Sequence, residues 1–366
     1  MRDVHGGNIW RAAREQALDP DAILDFSASL NPLGPPAQLE TVLAQAPGLV
    51  RHYPEPRAES LRERLAAEYG VGSEAILVGN GSCELLHLLG TALRPRRVLI
   101  PVPAFSEYEA VACRVGATVT FLIAREEDFT LDHQELVRQV PKVDLLFLGH
   151  PHSPTGSMLS PAALQEVLEA CEDSRTILAL DAVFADFAAG VEVSRLVRQA
   201  AAHPQLLLVR SFTKLYAIPG LRLGYLVGQP ATVARLQEAQ PPWSVNTLAQ
   251  VAGLAMLGAD GFAQQTRLFV AEERRNLFAQ LSSFAALRPL PSQANFLLVK
   301  LEGTHLSAGQ LCARLAARGL LVRDCTTVRG LGERYVRIAV RQPGDNQRLL
   351  AALRHLLDED GCAAPP

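Results

Sequence analysis

Three side chains in one short stretch are of types that could act together: Ser211, Lys214 and Arg222 in "LVRSFTKLYAIPGLRLGYL", Leu208–Leu226. Apolar runs flank the trio. A lysine in an apolar setting has its ammonium form disfavoured, which suits bonding to an aldehyde, and a serine and an arginine beside it can bind a phosphate. Two other stretches offer complementary groups. "VGNGSCELL" sets Gly79, Asn80, Gly81 and Ser82 between a strand and a helix, where free N–H groups at the helix start favour an anion. Glycine turns before helices are common, so taken alone this stretch reads better as purely structural. "ILALDAVFADF" ends an apolar run on Asp181, either as a turn cap or as a site acid, since doubly wound sheets form their sites at the carboxyl ends of strands. The loop "GHPHSPTGSML" adds His150, His152 and Ser153; two histidines at i, i+2 with no third ligand nearby predict no metal site.

The elements that must position these groups are legible as a pattern. "LRERLAAEYG" reads as an amphipathic helix ended by Gly70, and "CELLHLLGTAL" as another helix. "AILVGNGS", "RRVLIPVP", "TVTFLIA", "VDLLFLGH", "TILALDAVF" and "QLLLVRSF" are short apolar runs with few charges. Strands apolar on both faces belong to a sheet covered on both sides, which predicts a doubly wound α/β domain. After Pro241–Pro242 the texture changes. "NTLAQVAGLAMLGA", "FAQQTRLFVAEERRNLFAQL", "SAGQLCARLAARG" and "NQRLLAALRHLLDED" read as helices, and "ANFLLVKL", "LLVRDC" and "RYVRIAVR" as strands. The expected division is an N-terminal arm over 1–35 packing on the small domain, a large domain over 36–250, a smaller α+β domain over 251–358, and a tail over 359–366.

Composition excludes several classes. The 366 residues are 48% hydrophobic and 20% charged, with 35 basic against 38 acidic residues giving a net charge of −3. Basic residues are dispersed, so neither nucleic acid nor an anionic membrane is expected as a partner. Six scattered cysteines with no CxxC pair predict neither a zinc site nor a disulfide framework and suit a reducing cytoplasm. The N-terminus lacks the apolar core of a signal peptide, and no apolar run is long enough to span a bilayer.

Lysine for an aldehyde, aspartate for a pyridine nitrogen, and a helix start with Ser211 and Arg222 for a phosphate together describe pyridoxal 5′-phosphate. At this point the chain resembles the fold-type I family of pyridoxal-phosphate enzymes, in the branch around histidinol-phosphate aminotransferase, almost end to end. Within that branch "HGGN" (5–8), "LDFSASLNPLG" (24–34), "HYPEP" (52–56), "PAFSEYE" (103–109), "PWSVN" (242–246), "QANFLLV" (293–299), "LLVRDC" (320–325) and "YVRIAVR" (335–341) are similar to the L-threonine-O-3-phosphate decarboxylases of cobalamin biosynthesis. The first two stretches discriminate most.

The resemblance implies a fold, a large α/β domain with a mostly parallel seven-stranded sheet flanked by helices plus a smaller α+β domain, and it implies roles. Lys214 would carry the cofactor and move protons at the substrate carbon, Asp181 would pair with the pyridinium nitrogen, and Phe105 would stack on the ring. Ser82, Cys83, Ser211 and Arg222 would bind the cofactor phosphate, joined by Tyr53 of a partner subunit, which implies a homodimer with a shared site. Arg337 would grip the substrate carboxylate, Arg323 the substrate phosphate with help from Arg334 and a partner's His5, and Asn31 would line the site. Two departures stand out. Ser153 occupies the place of an asparagine that donates to the ring hydroxyl, and "DAVF" puts Ala182 and Phe184 where "DEAF" or "DEAY" is commoner. The implied reaction is decarboxylation of a small phosphorylated amino acid in the cytoplasm; transamination uses the same groups and is the alternative. A nicotinamide site is not expected, since "GNGS" lacks the third glycine and no acidic residue ends a strand about 20 residues on. Tyr108 and Tyr225 read as packing residues, Trp243 as site wall or core, and His87 as a surface or satisfied-core histidine.

Overall fold

A computed structural model describes residues 5–359. Its large sheet has seven strands: β1 (Ile76–Gly79), β2 (Arg97–Val102), β3 (Thr118–Ile123), β4 (Leu145–Gly149), β5 (Ile177–Asp181), β6 (Leu206–Ser211) and β7 (Gly224–Val227). They pair in the order β1-β7-β6-β5-β4-β2-β3. All run parallel except β7, which is antiparallel to both its neighbours. Alternate residues feed two cores: Leu146, Leu178 and Leu208 on one face, Phe147, Ala179 and Leu207 on the other. That is the strand pattern of a sheet covered on both sides. The edge strand β3 departs from it, because it has a neighbour on one side only and lies partly open, leaving Ile123 exposed.

The expected helices form where their signals stand. The helix Glu59–Tyr69 stops at Gly70, whose φ of +69° is the left-handed C-cap that glycine adopts without strain. The helix Ser82–Leu93 begins directly after the glycine turn that ends β1.

The second unit is an antiparallel sheet of β8 (Leu287–Pro289), β9 (Phe296–Leu301), β10 (Arg323–Asp324) and β11 (Tyr335–Ala339), in the order β10-β11-β9-β8. Helices Phe262–Ser282, Ala308–Ala316 and Pro343–Glu359 share a core with it. "LLVRDC" is two short pieces rather than one strand. Leu320–Leu321 pairs in parallel with Leu24–Asp25, and Arg323–Asp324 pairs with β11. Phe26, next in the arm, is fully buried in this second core. Two-residue strands are too short for periodicity to reveal. The expected boundary at 250–251 falls inside the helix Thr247–Met256, whose Ala249 and Met256 pack in the large core; packing puts the boundary after that helix. The tail expected from 359 lies outside the described residues from 360 onward, as does Cys362. No helix among the described residues is long and apolar enough to cross a membrane.

Behind the ends of β5 and β6 lies a buried ion pair that nothing in the sequence singled out. Arg210 Nη2 donates to both carboxylate oxygens of Asp186 at 2.8 and 2.9 Å, and Nη1 donates to the Ala182 carbonyl at 2.6 Å. Its Nε reaches the Tyr225 hydroxyl at 3.4 Å, which bonds Tyr69 at 2.8 Å. Removing one member leaves the other charge buried and unpaired. Asp186→Ala is therefore expected to lower stability by about 3–5 kcal/mol, measured by denaturant unfolding; a loss below about 1 kcal/mol contradicts this role.

Candidate active site

Strands β1, β4, β5 and β6 deliver their carboxyl ends to one cavity of about 230 Å³. β5 contributes Asp181, β6 Ser211 and then Lys214 on the short turn Phe212–Leu215, and the turn after β1 contributes Ser82 and Cys83.

One end of the cavity is built for an anion. Gly81 has φ +80°, and a Cβ there would lie 2.5 Å from Arg222 Nη2. Only glycine lets that guanidinium stand against the start of the helix Ser82–Leu93, where the N–H groups and the dipole add to its charge. Ser211 Oγ accepts from Thr213 N at 3.1 Å, capping the turn that carries the lysine. Thr213 lines the cavity, and its buried Oγ1 has no hydrogen-bond partner among the described residues. An anion bound in this cavity would supply one.

The middle of the cavity holds the acid and the lysine. Asp181 is buried; Tyr108 Oη donates to its Oδ2 at 2.7 Å and Val183 N to its Oδ1 at 3.1 Å. Burial nonetheless raises its carboxyl above the usual range, so its charged form calls for a cation such as a pyridinium N–H. Lys214 is half-buried; desolvation first, and then the charge of Arg337, bring its amine down to about 8. A neutral amine, the nucleophile, is thus populated near neutral pH. Phe105 faces the cavity and sits edge-on to Tyr108 at 5.7 Å, while Tyr108 stacks on Phe147 at 5.0 Å.

The opposite end carries two arginines that the sheet register places side by side, Arg323 of β10 directly across from Arg337 of β11. Like charges directly opposite are unfavourable. Burial brings the Arg337 guanidinium down to about 10, with Arg323 contributing in the same direction. Arg337 Nη1 donates to Ser153 Oγ at 3.2 Å, Nη2 to the Ser27 carbonyl at 3.0 Å, and the guanidinium lies over Phe296 at 5.0 Å. Phe184, in the phenol-less position, packs edge-on to Phe296 at 5.0 Å, with Lys214 Nζ 5.9 Å from its ring centre.

The structure thus brings together Ser82, Cys83, Phe105, Ser153, Asp181, Ser211, Lys214, Arg222, Arg323 and Arg337. It places two other residues, Arg334 and Asn31, outside the cavity lining. Arg334 spends its donors on the carbonyls of Leu301, Leu306 and Thr304, bracing the small domain away from the cavity. Asn31 is buried outside the cavity lining; its amide donates to Leu215 O and Thr266 Oγ1, and its backbone N donates to the Lys214 carbonyl. It holds the lysine's turn and does not line the substrate space. His5 lines the cavity of its own chain, where Gly6 and Gly7 lie flat on Ser27: Gly7 N donates to Ser27 Oγ at 2.8 Å, and a Cβ on Gly6 would overlap the Ser27 carbonyl. Tyr53 is 81% exposed and lies at 5.0 Å against Trp243, itself exposed at the surface and neither site wall nor core.

Tyr108 and Thr213 are functional residues that the sequence reading missed. Tyr108 stands at i+3 from Phe105 inside the quoted "PAFSEYE", so helical spacing from the ring-stacking position was the available signal. Thr213 is adjacent to Lys214, but its unsatisfied hydroxyl shows only in three dimensions.

The family model "Aminotransferase class I and II" matches residues 22–353, and the chain belongs to that family. It is 37% identical over 359 residues to the threonine-phosphate decarboxylase of Salmonella typhimurium, covering 98% of this chain and 97% of that one. It is 35% identical to the histidinol-phosphate aminotransferase of Symbiobacterium thermophilum, over 97% and 96% of the two chains. Among solved structures, L-threonine-O-3-phosphate decarboxylase from Porphyromonas gingivalis superposes with a TM-score of 0.82 at 29% identity, covering 91% of this chain and 99% of that one. The fold is that of fold-type I enzymes, and the donor set just described fits pyridoxal 5′-phosphate.

Two measurements test this geometry. After cofactor removal, the rate at which the protein takes up pyridoxal phosphate is expected to rise with pH through a midpoint of about 8, following the neutral Lys214 amine, and then to level off; a midpoint near the ordinary lysine value contradicts the placement. Tyr108→Phe removes a hydrogen bond to a carboxylate worth about 1.5–3 kcal/mol and is expected to weaken cofactor binding at least about tenfold, read by absorbance titration.

Proposed function

We propose that this protein is a pyridoxal-phosphate-dependent decarboxylase of L-threonine O-3-phosphate, releasing carbon dioxide and (R)-1-amino-2-propanol O-2-phosphate in cobalamin biosynthesis. The observation that carries the reading is the cross-strand pair Arg323 and Arg337, which lines the same cavity as the cofactor-phosphate cradle. Two guanidiniums held together at a cost in mutual repulsion suit a substrate with two anionic ends, a carboxylate and a phosphate. The likeness to threonine-phosphate decarboxylases over nearly the whole chain supports the same choice.

When bound, pyridoxal phosphate supplies an electron sink for whichever bond at the substrate's α-carbon stands perpendicular to its ring. The protein's residues decide which bond that is. Ser82, Cys83, Ser211, Thr213 and Arg222 fix the phosphate end of the site, and Asp181, held by Tyr108, keeps a proton at the opposite, nitrogen end. Arg337 orients the carboxylate, and Arg323 anchors the substrate's phosphate. Lys214, whose amine is brought down to about 8 so that both its forms are populated near physiological pH, holds or returns the proton at the α-carbon. Phe184 and Phe296 close one wall with carbon, which keeps water from that side. The working enzyme is proposed to be a cytoplasmic homodimer in which Tyr53, exposed on one chain, reaches the cofactor phosphate of the other.

The holoenzyme is expected to release carbon dioxide from threonine phosphate with no oxo-acid acceptor present. Absence of gas, with turnover that depends on an added oxo acid, would identify an aminotransferase instead. Arg323→Gln is expected to raise KM for threonine phosphate by at least about tenfold, the scale of a charge-assisted pair worth about 1.5–3 kcal/mol.

A further inference from the structure

Three consecutive residues on the first turn of the helix Ser106–Arg114 reach three different parts of the molecule. Tyr108 holds Asp181, and Glu109 is paired twice with Arg329 at 2.6 and 3.0 Å. Glu107 divides its carboxylate between two imidazoles: Oε1 bonds His5 Nε2 at 2.9 Å, and Oε2 bonds His87 Nε2 at 2.8 Å. Neither the cofactor cradle nor the arginine pair uses this arrangement.

Its chemistry is specific. Burial pushes the Glu107 carboxyl up, but the hydrogen bonds from His87 and His5 reverse this and hold it below the ordinary carboxylate range. Glu107 is therefore an anion accepting an N–H from each ring, so both Nε2 atoms carry protons. With Nε2 committed, Nδ1 is the nitrogen His5 has left for a ligand, and it donates to an anion when the ring is imidazolium, with both nitrogens protonated. His5 lines the active-site cavity together with Arg323, and both also line a neighbouring cavity of about 480 Å³ that opens alongside it. Its ring lies 5.5 Å from that of Phe105. The backbone that carries it is seated through Gly6 and Gly7 on Ser27, which sets where the ring starts but not which way it turns. Glu107 sets that direction. His87 in turn fixes Glu107 from the helix Ser82–Leu93, whose first turn forms the cofactor-phosphate cradle.

We propose that Glu107 is a positioning residue for the substrate's phosphate: braced by His87, it turns His5 into the cavity beside Arg323, so that an imidazolium and a guanidinium share one anionic group. This rests on the reading of a phosphorylated amino-acid substrate. It explains why a carboxylate is tolerated near an anion site, since two imidazoles hold it and it presents no free oxygen of its own to the phosphate.

The test compares Glu107→Gln with wild-type holoenzyme, using threonine phosphate and unphosphorylated threonine as ligands, with binding read from the cofactor absorbance and turnover from carbon dioxide. Glu107→Gln is expected to weaken binding of threonine phosphate, and to raise its KM, by about tenfold, with kcat changed less than about twofold and threonine binding unchanged. His5→Asn should give the same loss, and the double variant no more than either alone. Cofactor affinity should stay at the wild-type value; a merely structural role, acting through Tyr108 and Asp181, would lower it. Equal threonine-phosphate binding in wild type and Glu107→Gln, or additive losses in the double variant, would overturn the proposal. Should the glutamine variant not fold, Glu107→Asp, which keeps the charge but withdraws it by one methylene, is expected to show the same selective loss, and unchanged binding there overturns the proposal equally. If wild type binds threonine phosphate in a Glu107-dependent way yet releases no carbon dioxide, the proposed reaction fails and this inference stands.

Discussion

The buried ion pair between Arg210 and Asp186 is the interaction on which the rest of the site depends. Arg210 is the residue before Ser211 at the end of β6, and Asp186 lies five residues beyond Asp181 at the end of β5. The same guanidinium also takes the carbonyl of Ala182, the residue directly after the acid. One buried cation thus joins the loop that carries the acid to the strand that leads into the lysine's turn. Neither loop can shift without exposing or stranding a charge in low dielectric, where the cost is several kcal/mol. Asn31 does similar work from the other side, tying the arm to the carbonyls of Lys214 and Leu215.

A preorganised frame of this kind matters because the groups inside it are electrostatically uncomfortable. Asp181 is buried and its carboxyl is raised, Lys214 is brought down to about 8, and Arg337 to about 10 beside Arg323. Perturbations of this size cluster where a protein awaits charged partners. Each finds a natural complement in the bound state: a cationic ring nitrogen for the acid, an aldehyde for the amine, and two anionic substrate ends for the arginines. The packing that fixes these groups is aromatic. Tyr108 lies between Phe105 and Phe147, and Phe296 lies between Arg337 and Phe184.

Much of this was legible from residue order. The parallel strands are continuous apolar runs because both faces are covered, and the acid and the lysine stand at strand ends because loops there converge. What misled was local likeness without location. Arg334 lies three residues before Arg337 and carries the same charge, yet β11 begins only at Tyr335, and Arg334 turns instead to three carbonyls of the small domain. Tyr108 read as packing, and it does pack, but its hydroxyl is what the acid leans on. "TVTFLIA" read like its neighbours and lies at an edge, because strand order, not composition, decides which strand is last.

By itself the sequence determined the fold class and the family and singled out the lysine, the acid and the glycine turn that the structure brings to one cavity, because these rest on periodicity and on short motifs read close to where they stand in the chain. Tertiary structure alone decided the pairing of Arg323 with Arg337 across one rung of a sheet, the lock of Arg210 on Asp186, and the sharing of Glu107 between His5 and His87. Those contacts join residues 14, 24, 102 and 20 positions apart. Strand register and burial create them, and neither leaves a local mark for a reader of the chain to find.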